Sequence, residues 1–98
     1  MKINVHSIHF DADKKLIEFI NEKVVKLAGI HDQITVGEVY LRLEKSSAND
    51  NKIAEIKLHV PGKELFAKRQ CKSFEEAVDL SVDALRNQIK KYKGKLVK

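Results

Sequence analysis

The sequence is short of the residues that interrupt, cross-link or anchor a chain. Among 98 residues there are one proline, four glycines and no tryptophan. With few breaks and 43% hydrophobic residues, residues 1–98 are expected to form one compact domain around one core. Cys71 is the only cysteine, which excludes an intramolecular disulfide. No run approaches the roughly 20 apolar residues that a membrane-spanning helix needs. The opening MKINVHSIHF enters an alternating pattern with no apolar signal core. A cytoplasmic protein that does not engage membranes is expected.

The residues of catalysis are equally sparse. Gly29, Gly37, Gly62 and Gly94 are scattered, so no glycine-rich phosphate loop exists. His6 and His9, read as part of one strand, point to opposite faces, and His31 and His59 stand alone. Cys71 lies near Lys68, Arg69 and Lys72, which would lower a thiol pKa, but a cysteine at a strand end is more commonly a buried structural thiol. No catalytic residue, metal, cofactor or small-molecule substrate is expected.

Charge is what the chain has in excess. The formal net charge is +5, and all of the surplus falls in one half. Residues 1–49 carry seven basic and seven acidic side chains, whereas residues 50–98 carry twelve and seven. From Ala84 onward come Arg86, Lys90, Lys91, Lys93, Lys95 and Lys98, with no acid among them. Such a segment attracts polyanions through its field and through counterion release. The same pattern also suits a solvated helix, because Glu75, Glu76, Asp79 and Asp83 stand near its start and the helix dipole favours acids first and bases last.

Along the chain, Lys2–Phe10 reads as a strand whose alternation changes phase, suggesting a bulge or bend near His6 and Ser7. Asp11 or Asp13 can cap a helix in which Leu16, Ile20, Val24 and Leu27 recur on one face and which Gly29 stops. Val36–Lys45 alternates, with Val39, Leu41 and Leu43 on one face and Glu38, Tyr40, Arg42 and Glu44 on the other. After the SSANDN loop, Ile53–Val60 alternates again, and Pro61-Gly62 supplies a type II turn into the edge strand Glu64–Cys71. Ser73 and Glu76 form a capping box for a long helix carrying Val78, Val82, Leu85, Ile89, Tyr92 and Leu96, with Ala77 and Ser81 allowing close packing.

One helix between the first two strands implies a right-handed crossover and parallel pairing, and the remaining strands form an antiparallel meander. The expected fold is therefore α+β: a two-layer sandwich of order β-α-β-β-β-α, with a four-stranded mixed sheet and two helices on one face. Lys15, Phe19, Lys23 and Lys26 share one flank of the first helix. Arg86, Lys90 and Lys93 share one flank of the last, with Lys91, Lys95 and Lys98 on its back and opposite side. Adjacent helices would let these lysines line a groove that follows a phosphate backbone. Lys15 and Lys23 could instead pair with Glu18 and Glu22, and Phe19 fits either a core edge or base stacking. Tyr40 and Phe66 fall on the open sheet face, where ordinary cross-strand packing explains them better than base stacking.

Three stretches, FINEKVVKL, LHVPGKEL and AVDLSVDALRNQIKKYKGKL, together with the element order, resemble the short ribosome hibernation-promoting factor and ribosome-associated inhibitor family. That resemblance implies a protein that lodges in the mRNA and tRNA channel of the small ribosomal subunit and contacts 16S rRNA. Carried over residue by residue, it marks Lys23, Lys26, Lys91, Lys93 and Lys95 as contacts. Ala84 and Asn87 depart from it, standing where relatives often have a base, and Arg86 and Lys90 are close enough to compensate. Arg69 departs too, on the inward phase of the edge strand, where it must either snorkel or pair. The implied protein is a monomeric rRNA-binding translation inhibitor without the second, dimerising domain of long members. The alternative is a basic adaptor that binds an acidic protein partner through its C-terminal helix.

Overall fold

The structure, a computed structural model, describes residues 1–45 and 49–96, with side chains as far as Lys93. Its elements are β1 (Lys2–Ser7), α1 (Lys14–Val25) continued by a 3₁₀ turn (Lys26–Gly29), β2 (Val36–Leu43), β3 (Lys52–Val60), β4 (Lys63–Cys71) and α2 (Phe74–Leu96). The strands form one sheet in the order β1-β2-β3-β4, with β1 parallel to β2 and the other neighbours antiparallel. The α1 crossover lets β1 and β2 run the same way, while the later pairs need only turns. This is the expected β-α-β-β-β-α fold. Residues 46–48 of the SSANDN loop lie outside the described residues.

Register explains the two faces. Val5, Val39, Ile56 and Ala67 align across the four strands, so one face is apolar throughout. Both helices cover it. Leu16, Ile20, Val24 and Leu27 come down from α1 and its 3₁₀ turn, and Val78, Val82, Leu85 and Ile89 from α2. Burying each large aliphatic side chain contributes roughly 1.5–3 kcal/mol, more than any surface ion pair described below. Ala77 and Ser81 are fully buried, as small residues at a close contact should be.

The helices run in the same sense. Phe10, just before α1, stacks on Phe74 at the start of α2 with ring centroids 5.0 Å apart. Farther along, Lys23 meets Asp79 at 3.5 Å. Beyond α1, the carbonyl of Ile30 accepts a hydrogen bond of 2.6 Å from Lys93 near the end of α2. Both C-terminal ends therefore lie at one end of the molecule.

Local departures from the sequence reading have identifiable causes. β1 ends at Ser7 rather than Phe10. Of the expected bulge or bend near His6 and Ser7, the structure has the bend, at residues 8–10 with His9 at a left-handed φ of 65°, and no bulge in the β1 pairing. Ile8 still donates to Leu41 at 2.9 Å before the chain turns and sends Phe10 back to Phe74. β2 stops at Leu43, not Lys45, and Leu43 is 43% exposed because the helical layer does not reach it. Asp13, not Asp11, caps α1 by accepting from the Leu16 amide at 2.8 Å. Only half of the capping box forms: the Glu76 amide donates to Ser73 Oγ at 3.1 Å, while the Glu76 carboxylate lies with the Cys71 thiol instead. Arg69 resolves outward, exposed, with Nη1 donating to the Lys68 carbonyl at 2.7 Å.

Two glycines provide a test of the backbone. Gly62 has a φ of +74°, as the second central residue of a type II turn requires, whereas Gly29 has no such constraint and open space where a Cβ would stand. Gly62→Ala is expected to lower unfolding free energy by about 1–2 kcal/mol. Gly29→Ala is expected to be neutral or to stabilise by about 0.4–1 kcal/mol, with both read from urea denaturation midpoints.

Candidate nucleic-acid interface

Helical phase decides which charges meet. On α1 the core positions Leu16, Ile20 and Val24 leave Lys15, Phe19, Lys23 and Lys26 on one flank and Asn21 and Val25 on the other. The Lys23–Asp79 contact identifies the first of these as the flank facing α2. On α2, Arg86 and Lys93 follow Asp79 at intervals of seven residues and share its flank, with Lys90 beside them. The interhelical groove is thus walled by Lys15, Lys23 and Lys26 on one side and by Asp79, Arg86, Lys90 and Lys93 on the other.

The charges in this groove are not equally free. Lys23 is tied to Asp79 and sits 5.5 Å from the ring centre of Phe19, so it does not use Glu22 as the sequence allowed. Phe19 itself packs against the core, which settles its role as a core edge. Arg86 is held by Asp83 at 2.7 Å, and Lys93 is bound to the Ile30 carbonyl. Lys15, Lys26 and Lys90 are exposed and have no ion pair among the described residues. At the acidic start of the groove the opposite charges cancel. At its other end, near both helix C-termini, Lys26, Lys90 and Lys93 outnumber Asp32.

Lys91 does not join this group. It lies on the opposite flank of α2, where Gln88 donates to the Phe66 carbonyl of β4 at 2.8 Å. There Lys91 lines a separate depression with Lys63, Glu64 and Tyr92. Lys63, whose Nζ stands 5.9 Å from the Tyr92 ring centre, is a second cation at this spot that the sequence reading passed over. Only the pairing of β4 beneath α2 reveals it. The side chain of Lys95, which the sequence reading grouped with Lys91, lies outside the described residues, as does Lys98.

At the basic end the groove opens into a cleft of about 430 Å³ lined by residues 28–33 and Lys93. His31 is buried there, its ring 5.4 Å from that of Tyr92 and its Nδ1 accepting from the Gln33 amide at 3.4 Å. It closes the loop onto α2 as a packing residue.

The open sheet face is polar and internally paired. His6 stacks on Tyr40 at 4.8 Å, and Lys57 lies 5.9 Å from the Tyr40 ring centre. Glu55 receives Arg42 at 2.6 Å and Lys68 at 3.8 Å. Tyr40 is thus occupied by cross-strand neighbours, as expected, and Phe66 stands 44% exposed. His6 also bonds Glu38 at 2.8 Å and Asn4 donates to Glu38 at 3.2 Å; these two bonds, His6 first, hold the Glu38 carboxyl below its usual pKa. Cys71 is buried, and burial together with the Glu76 carboxylate pushes its thiol pKa up, opposite to the direction that activates a nucleophile. Among the described residues no group of His, Cys, Asp and Glu could hold a metal ion, and no helix is long and apolar enough to cross a membrane.

The two-layer α+β fold has known counterparts. The chain belongs to the family described as sigma 54 modulation protein / S30EA ribosomal protein, which it matches over residues 3–97. It is 32% identical over 97 residues to the ribosome hibernation promoting factor of Azotobacter vinelandii, covering 99% of this chain and 87% of that protein. It is 30% identical over 96 residues to the ribosome hibernation promoting factor of Escherichia coli K12, covering 98% and 97%. The role for which these relatives are named is not a catalytic one. The fold is similar to a ribosomal subunit interface protein from Coxiella burnetii, with a TM-score of 0.85 and 23% identity over 96% of this chain and 99% of that one. It is also similar to the N-terminal domain of Thermus thermophilus Protein Y, with a TM-score of 0.81 and 22% identity over 94% and 99%.

The two perturbed groups give separate tests. Because the folded-state pKa of Glu38 is depressed, its stabilising contribution is present above the unfolded-chain value and is lost as pH falls through the folded value. His6→Ala is expected to return the Glu38 titration toward the ordinary carboxylate range, as followed by NMR of the side-chain carboxyl carbon. Cys71 is expected to react with iodoacetamide at pH 8 more slowly than a free thiol of ordinary pKa, and to reach the free-thiol rate only when the protein is unfolded in urea.

Proposed function

We propose that the chain is a ribosome hibernation factor that binds 16S rRNA of the small subunit at the decoding region and, by occupying the mRNA and tRNA path, keeps idle ribosomes inactive. The observation that carries this reading is the convergence of two lysine-bearing helix flanks at one end of a groove, where Lys26, Lys90 and Lys93 outnumber the one acid, Asp32. Two parallel rows of cations match a phosphate backbone running between them. Steric occlusion needs affinity and shape but no reacting group, in keeping with the suppressed thiol of Cys71. The hibernation factors of Azotobacter vinelandii and Escherichia coli, similar over nearly the whole chain, support the ribosome as partner.

Within the groove each cation has a distinct part. Lys26 and Lys90 supply free charge to phosphates. Lys23 and Arg86 must exchange a carboxylate for a phosphate or contact both, so they contribute less. Lys93 acts first as a clip that holds the loop after α1 against α2, and only its remaining N–H donors are open to RNA. Lys91, joined by Lys63, reaches RNA on the other side of α2, and Lys95 extends the cationic end of the same helix. The protein acts as a monomer in the cytoplasm.

The test is sedimentation with purified small subunits at low and high salt. Comigration is expected at low salt, with log K falling against log salt by about 0.7–0.9 for each phosphate contact. Lys26→Glu with Lys90→Glu is expected to abolish comigration and to lower the unfolding free energy by no more than about 1–2 kcal/mol, since neither side chain is paired within the fold. The adaptor reading, in which α2 binds an acidic protein, requires a complex that survives nuclease digestion. Comigration unaffected by the double reversal would overturn the groove assignment.

A further inference from the structure

We propose that the free edge of β1, with the groove beside it, is a docking site for an extended basic segment of another protein, which joins the sheet as a fifth strand. β1 ends the sheet, so its outer side has no strand partner among the described residues. The Lys2 amide donates to Thr35 at 3.0 Å and the Ile8 amide to Leu41 at 2.9 Å, both toward β2. In a parallel ladder alternate residues bond to the same neighbour, so Asn4 and His6 also face β2. The backbone N–H and C=O groups of Ile3, Val5 and Ser7 then point outward, available to a new strand.

Chemistry beside that edge selects the occupant. The outer flank of α1 and β1 border a shallow, open groove of about 560 Å³ lined by Ile3, Glu18, Asn21, Glu22 and Val25. Val25 is 48% exposed, an apolar side chain half open to water. Glu18 has only a loose contact of 4.0 Å with Lys14, both well exposed, and Glu22 has no ion pair among the described residues. A strand added at β1 would carry every second side chain beneath α1, onto Ile3 and Val25, with the next such positions in reach of Glu18 and Glu22. An aliphatic residue flanked by lysine or arginine fits both demands. A second copy pairing β1 with β1 would instead bring the Glu18 and Glu22 of both chains together, which like-charge repulsion opposes. RNA cannot extend the backbone ladder of β1, which a polypeptide strand can.

α1 thus turns Lys23 toward α2 and Glu18 toward β1, with Glu22 beside Lys15 and Lys26 on its outward side. The protein can hold a polyanion and a basic polypeptide at the same time. This site stands on the β1 edge and its groove, independently of the RNA reading.

The probe is the capped heptapeptide Thr-Lys-Thr-Val-Thr-Lys-Thr, titrated into the isotopically labelled full chain by NMR, beside the same peptide with glutamate for lysine. Saturating lysine peptide is expected to protect the Ile3, Val5 and Ser7 amides from hydrogen exchange while leaving Asn4 and His6, already bonded, unchanged. Glu18→Lys with Glu22→Lys is expected to weaken binding about tenfold, and the glutamate peptide should not bind the unmodified chain. Equal binding of both peptides, affinity unchanged in the double variant, or protection confined to other amides would each overturn the proposal. So would protection of the same three amides by self-association of the chain without peptide.

Discussion

Ile20 and Val24 on α1 and Leu85 and Ile89 on α2 are fully withdrawn from water against the same face of one sheet. That shared apolar face is the constraint on which the remaining structure depends. Strands of alternating pattern have only one side to bury, so both helices must lie on it and must therefore lie beside each other. The strand order then fixes their direction. α1 returns from β1 and α2 returns from β4, two strands that point the same way, so the helices are parallel and end together. Hydrophobic burial, with no help from electrostatics, thus delivers the lysines of two remote segments to one place.

Electrostatics acts within that frame. The partial negative charge at two neighbouring helix C-termini favours cations there, and the chain places Lys26 and Lys93 at those ends, with Lys90 about a turn earlier. Each such interaction stabilises by about 0.3–1 kcal/mol, too little to require so many unpaired lysines. At the acidic beginning of the groove, by contrast, Lys23 with Asp79 and Arg86 with Asp83 are satisfied within the protein. The groove thus runs from paired charges at one end to unpaired lysines at the other.

Most of the fold was legible in the sequence because its signals are local. The alternation of Val39 with Leu41, the Pro61-Gly62 turn and the heptad-like run from Val78 to Ile89 each reflect one dominant force acting over a few residues. The misreadings occur where a contact between distant residues intervenes. His9 takes a left-handed conformation so that Phe10 can reach Phe74, sixty-four residues away. Leu43 keeps the right phase but lies beyond the helices, and phase alone does not report coverage. The two lysine flanks were legible from helical periodicity, but their facing partners were not: Asp79 replaces Glu22 as the neighbour of Lys23, and Lys63 joins Lys91 only through the placement of β4.

The bond from Lys93 to the Ile30 carbonyl bears on how such a protein lets go of its target. Its acceptor is a neutral dipole at contact distance, which mobile ions screen far less than they screen a phosphate several ångströms away in water. Rising ionic strength therefore loosens the grip on a polyanion before it loosens the clip that shapes the groove. On the proposed reading, the binding surface stays intact through release, so cycles of capture and release require no refolding.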